Sequence, residues 1–147
     1  MTTRGCLLAG WIFFLGITSP VAAAESSSPE WQPIPVPGEN NHTGIGWYRA
    51  WVKVPDSFFT KHERNLFEES VGFYVQDLAG AHEVFVNGRK IGTGGQFPPD
   101  YQSGAEMFHR HKVPAGTLRK GEWNEIALRV YNPSAPGGFS GEAPFIM

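Results

Sequence analysis

The stretch HEVFVNGRKIG, residues 82–92, decides how the rest of the chain is read. Its first half is a short apolar-alternating run with Val84 and Val86 on one side, and it ends in Asn87-Gly88. Asn-Gly tolerates the positive φ angles of a tight hairpin turn, so the segment predicts strand, turn, strand, with Gly88 at positive φ and Phe85 and Ile91 in neighbouring strands. A chain with a hairpin at this point needs other strands to pair with it.

Working outward, such strands are present on both sides. WYRAWVKV, residues 47–54, alternates with Tyr48, Ala50, Val52 and Val54 on one face and Trp47, Arg49, Trp51 and Lys53 on the other, and Pro55-Asp56 closes it. Period two with one apolar face is the pattern of a half-buried strand. VGFYVQ (71–76), MFHRHKV (107–113) and EIALRVY (125–131) read the same way, and a last short strand is expected at Phe145-Ile146. Between them, SFFTKHERNLFEE (57–69) is the one segment suited to a helical turn, and GTGGQFPPDYQSG (92–104) reads as a long loop. The predicted core is Tyr48, Val52, Phe73, Val75, Val84, Val86, Ile126, Leu128 and Val130. Several short strands with turn signals between them predict an all-β antiparallel sandwich of the jelly-roll kind. Eighteen glycines, 12 prolines and 14% aromatic residues suit such a fold better than long helices.

The chain opens with a different signal. Arg4 precedes an apolar run from Leu7 to Ile17, Pro20 breaks it, and Ala22-Ala23-Ala24 supplies small side chains. This is the pattern of an export signal cleaved after Ala24. A membrane anchor would need about 20 apolar residues, and this run has eleven. Residues 1–24 are therefore read as a signal peptide, 25–37 as a Ser/Pro-rich leader, and 38–147 as the domain, with a secreted or periplasmic location expected. Cys6, the one cysteine, leaves with the signal, so neither a disulfide nor a thiol nucleophile is expected afterwards. A mature chain of about 123 residues (147 minus 24) can bury enough core without one. Losing Arg4 leaves 11 of the 12 basic residues against 14 acidic ones. With no basic stripe, nucleic acid is excluded as a partner, as is the membrane once the signal is cleaved. Asn41-His42-Thr43 is a glycosylation sequon in form, expected to be unused behind a bacterial-looking signal.

The order of the motifs resembles the sugar-binding, galactose-binding-like jelly roll of family 2 glycoside hydrolases, such as β-galactosidases and β-glucuronidases. The matching pieces are Ile34 to Gly38 (IPVPG), Trp47-Tyr48-Arg49 opening a strand that closes at Val54-Pro55, and AHEVFVNG (81–88) with Ile91-Gly92. They continue with Val113-Pro114, Leu118 to Gly121 (LRKG), Asn124 and IALRV (126–130). The likeness covers roughly residues 31–146. Trp123 adds one residue to the family's Gly-to-Asn spacing. The Gly94 to Ser103 loop and the GGFSG ending (137–141) are closer to versions of this module attached to sialate O-acetylesterases and to large secreted bacterial proteins. The resemblance implies a non-catalytic module, because the family's catalytic glutamates lie in a separate barrel. The expected partners are a glycan and a downstream catalytic domain. The alternatives are a fragment of a glycosidase or esterase, and a structural interaction domain with no sugar site.

The residues themselves offer little catalysis. A retaining glycosidase needs two carboxyl groups roughly 5 Å apart in one cleft, whereas the acids here sit at strand exteriors and turns. No G-x-S-x-G elbow and no phosphate-cradling glycine loop followed by a helix occurs, so no cofactor is expected. His109 and His111 share a strand face at a spacing that can chelate a metal. A cupin-type jelly roll would place a carboxylate four residues later, where Ala115 stands, and no third ligand lies at suitable spacing. An exposed face flanked by Arg110 and Lys112 is the simpler expectation, with no metal bound. Sugar binding calls for aromatic faces and fixed polar groups. Trp47, Trp51, Phe97, Tyr101 and Trp123 are the available aromatics, and loops are where binding residues concentrate. The expected site therefore joins the Gly94 to Ser103 loop to the Gly137 to Glu142 loop. Phe97 and Tyr101 would stack on the sugar, and Asp100 and Glu142 would accept hydroxyl hydrogen bonds. The rival expectation is that these loops cap the sandwich, with Phe97 and Phe139 buried as plugs.

Overall fold

In the computed structural model, Asn87 and Gly88 both take positive φ, 49° and 78°, and join β6 (Ala81–Val86) to β7 (Arg89–Gly94). Two successive left-handed residues make the turn whose twist matches that of the flanking strands. The pairing runs Val86↔Arg89 and Phe85↔Lys90, then shifts to Val84↔Gly92, so Ile91 is the extra residue of a β-bulge. The structure describes residues 12–16, 30–63, 71–105, 108–140 and 143–147.

The remaining elements follow the alternation in the sequence. They are β1 (Ile12–Gly16), β2 (Trp31–Ile34), β3 (Gly38–Asn40), β4 (Gly44–Lys53), α1 (Asp56–Glu63), β5 (Gly72–Val75), β8 (His109–Lys112), β9 (Trp123–Asn132), β10 (Gly137–Phe139) and β11 (Phe145–Ile146). Six strands form one sheet in the order β2-β1-β4-β9-β6-β7, three form another in the order β11-β5-β8, and β10 pairs with β3. Among the described residues every strand pairing is antiparallel. The fold is an all-β sandwich of the jelly-roll kind.

All nine predicted core residues are buried, and they cluster with Val54, Leu78, Val113, Leu118, Phe139 and Ile146. The even-numbered residues of β4, β6 and β9 face this core, and each large aliphatic or aromatic side chain placed there contributes about 1.5–3 kcal/mol. Tyr48 meets the edge of Phe139 with ring centroids 5.1 Å apart, and its hydroxyl accepts a hydrogen bond from Asn40 Nδ2 at 2.7 Å.

The structure differs from the sequence reading at several places. The strand after the hairpin continues through Gly94, so the expected loop from Gly92 begins only at Gly95. Two glycines look like loop residues in a sequence, but here they lie under side chains from two other strands, where a Cβ would not fit. Gly137–Phe139, expected as a loop, pairs with Gly38–Asn40 and is buried. Trp31–Ile34 of the expected leader is strand β2, and Ile12–Gly16 of the expected export signal pairs with both β2 and β4.

Two motif asparagines hold the hairpin to the rest of the sheet. Asn87 donates from Nδ2 to the Thr117 carbonyl and to Asn124 Oδ1, each at 2.8 Å, and its Oδ1 accepts from the Glu125 amide at 2.9 Å. Asn124 is fully buried. Its Oδ1 also accepts from the Arg119 amide, and its Nδ2 donates to the carbonyls of Arg119 and Glu122. The turn that positions Gly88 is thereby tied to the loop before β9.

Candidate functional site

The odd-numbered residues of β4, β6 and β9 point away from the core and build an outer face of the six-stranded sheet. Trp47 from β4, in register with Arg129, and Phe85 from β6, in register with the small Ala127, bring their rings to 5.5 Å across β9. The Arg49 guanidinium lies 4.9 Å from the Trp31 ring and 5.3 Å from the Trp51 ring, and it pairs with Glu125 at 3.3 Å. Glu83 bridges Lys90 and Arg129. Burial opposes ionisation of Glu83, but its hydrogen bonds and charge contacts with Lys90 and Arg129 outweigh that and hold its carboxyl below the usual range. Trp123, at the start of β9, is 63% exposed.

The Gly95 to Gly104 loop closes one end of this face. Backbone hydrogen bonds in both directions between Gln96 and Gln102 pinch its neck, and the Gly104 amide donates to the Gly80 carbonyl. The pinch delivers Phe97 and Tyr101 to Tyr131 at the end of β9. Tyr101 meets Tyr131 at 5.2 Å, Phe97 lies 6.3 Å from it, and the Arg129 guanidinium sits 4.7 Å from the Phe97 ring. Phe97 and Tyr101 are half-buried and Asp100 is exposed. Glu142, the fourth residue of the expected sugar site, lies outside the described residues. Its expected loop partner begins as the buried strand β10, and Phe139 is completely enclosed. The structure thus gathers Phe97 and Tyr101, with Asp100 exposed on the same loop. The third ring is Tyr131, which sequence reasoning missed because it ends a strand instead of lying in a loop.

A second polar group lies inside the sandwich and corrects an expectation. His109 and His111 pair in register with Val75 and Phe73, two core residues, so they face inward and not to solvent. His111 is buried and His109 half-buried. Facing them from the other sheet is His82, completely buried. His82 Nε2 and His111 Nε2 stand 3.1 Å apart. The His82 ring is nearly perpendicular to His109 and His111, which are parallel to each other. His109 Nε2 donates to the Gly104 carbonyl at 2.9 Å, while His82 Nδ1 is buried with no partner among the described residues. Burial first, then repulsion from His109 and His111, lowers the His82 pKa to about 3. Burial and His109 lower that of His111 to about 4. At neutral pH both rings are uncharged and keep a lone pair.

No family model matches the chain, and no curated protein matches it. Solved structures do. It is similar to Bacteroides uniformis β-glucuronidase 2 at 18% identity and a TM-score of 0.65, over 95% of this chain. It is similar to a Bacteroides fragilis protein assigned as a β-galactosidase at 17% identity and 0.63, over 99% of this chain. The β-D-glucuronidase of Dictyoglomus thermophilum matches at 18% identity and 0.58, over 85%. In each case the chain spans only 17% to 22% of the other protein's length. At the level of fold, the jelly-roll resemblance read from the motifs holds: the chain has the architecture of one domain within these larger enzymes.

Proposed function

We propose that this chain is an exported, non-catalytic module of a carbohydrate-active protein, and that the rim formed by Phe97, Tyr101 and Tyr131 receives a glycan. The gathering of three aromatic rings at one edge of an exposed sheet face, with Asp100 exposed on the same loop, is the observation that carries this reading. Aromatic faces suit the C–H surfaces of sugars, and a carboxylate accepts hydrogen bonds from hydroxyls. The neighbours in fold are glycosidases of which such a domain is a minor part, which supports an accessory role and a larger carbohydrate-active partner.

A second reading has its own observation. Phe97 is held by the Arg129 guanidinium beside it, as a residue would be that caps the sheet or seats a neighbouring domain. Titration with glucuronate, galactose and β-linked oligosaccharides, followed by NMR or calorimetry, separates the two. The glycan reading expects saturable binding that falls at least tenfold in Tyr101→Ala and is weakened in Asp100→Ala. Equal, negligible responses from wild type and both variants would leave the capping reading standing.

A further inference from the structure

The three histidines inside the sandwich have a geometry that hydrogen bonding alone does not explain. Each ring offers a nitrogen, and the three nitrogens lie within 4.8 Å of one another. Between His82 and His111 two like atoms, both Nε2, face each other at 3.1 Å. Uncharged rings can fill that gap with one hydrogen bond only if they adopt opposite tautomers, and among the described residues His82 Nδ1 has no partner either way. A metal ion would engage both Nε2 lone pairs at once. Metal–nitrogen bonds of 2.0–2.1 Å at a tetrahedral angle set neighbouring nitrogens about 3.3 Å apart, close to the separation observed.

The surrounding backbone is shaped around these rings. A Cβ on Gly94 would lie 2.2 Å from His82 Cε1 and 2.8 Å from His109 Nε2, and one on Gly92 would lie 2.0 Å from His111 Nδ1. β7 therefore gives up side chains at two inward positions, and the space goes to imidazoles arriving from β6 and β8. The Gly104 carbonyl, accepting from His109 Nε2, is the type of outer partner that fixes the tautomer and orientation of a metal-binding histidine.

We propose that His82, His109 and His111 form a binding site for a divalent first-row transition ion, which clamps the six-stranded sheet to the three-stranded one. Imidazole ligands suit zinc, copper, iron and nickel, not calcium or magnesium. With His109 held by the Gly104 carbonyl, three protein ligands leave a fourth position for water. The site is independent of the glycan reading, since none of its residues lies on the outer face.

Tag-free full-length protein, stripped with chelator, is titrated with Zn²⁺ by calorimetry and with Co²⁺ by visible spectroscopy. The expected result is one ion per chain, a raised melting midpoint with Zn²⁺, and the d–d bands of a four- or five-coordinate cobalt centre. His109→Gln keeps a donor for the Gly104 carbonyl and is half-buried, so it folds. It should weaken Zn²⁺ by more than the roughly ten- to hundredfold that loss of an outer partner causes. His42→Gln, on a surface loop, should bind as wild type does. Absence of saturable binding by wild type, six-coordinate aqueous cobalt spectra, or unchanged affinity in His109→Gln would each overturn the site.

Discussion

Two buried polar clusters tie this sandwich together, and they differ in how completely their atoms are used. Around Asn124, both side-chain polar atoms make two hydrogen bonds each, and Asn87 is bonded through its amide nitrogen, its carbonyl oxygen and its backbone amide. Around His82, one ring nitrogen meets another histidine and the second meets none of the described residues. A buried polar group without a partner costs about 1–3 kcal/mol. The asparagine cluster is what a purely structural role looks like. The histidine cluster keeps uncharged imidazoles in the core with less hydrogen bonding than the site can hold, which is the signature of a place built for something else.

That contrast can be broken by substitution. Asn124→Ala would orphan the amide and carbonyl of Arg119 and the carbonyl of Glu122 and leave Asn87 Nδ2 with the Thr117 carbonyl alone. A loss of about 3–5 kcal/mol in urea or thermal unfolding is expected, because four bonds end at one side chain. A loss below about 1 kcal/mol would mean that water replaces the asparagine and the cluster is not structural.

Acid should act on the histidine cluster instead. His82 has a folded pKa of about 3, below its ordinary value of 6.5. Above about pH 6.5 the ring is neutral in folded and unfolded chains, and its contribution to stability is constant. As pH falls below that, the unfolded chain takes up the proton while the folded one does not, so stability declines through the window down to about pH 3. Denaturant midpoints of metal-free protein at pH 7, 6 and 5 should fall in that order. Midpoints that stay level would mean the rings are protonated or solvated in the fold.

The smallest effect is expected where the two clusters differ most. His82→Leu exchanges the unpartnered His82 Nδ1 for an unpartnered His111 Nε2 and fills similar space with an apolar group, so gain and loss largely cancel. Metal-free His82→Leu at pH 7 should lie within about 1 kcal/mol of wild type and lose part of the acid sensitivity. A loss as large as that of Asn124→Ala would show that His82 is structural in its own right.

Much of this architecture was legible in local sequence. Asn87-Gly88 specified the hairpin because few other dipeptides accept two left-handed residues, and the alternation in WYRAWVKV and EIALRVY assigned the buried faces. The exposed-face expectation for His109 and His111 failed because Arg110 and Lys112 made the strand look solvated. The polar neighbours were read, but the inward side of the strand is chosen by its register with Phe73 and Val75. The strands at Trp31–Ile34 and Gly137–Phe139 escaped because proline and glycine carry loop signals that a partner strand can override. The clustering of Phe97 and Tyr101 on Tyr131 escaped as well, since a loop's composition does not say where its tip lands.

By itself, then, the sequence determined the fold class, the hairpin and the core side chains, all of which depend on neighbours within a few residues. Only the tertiary structure decided that His82 meets His111 across 29 positions of chain, or that glycines 92 and 94 leave the space between the sheets where those rings sit. Contacts of that kind are set by how two sheets stack, and stacking is a property of every buried side chain together rather than of any one stretch.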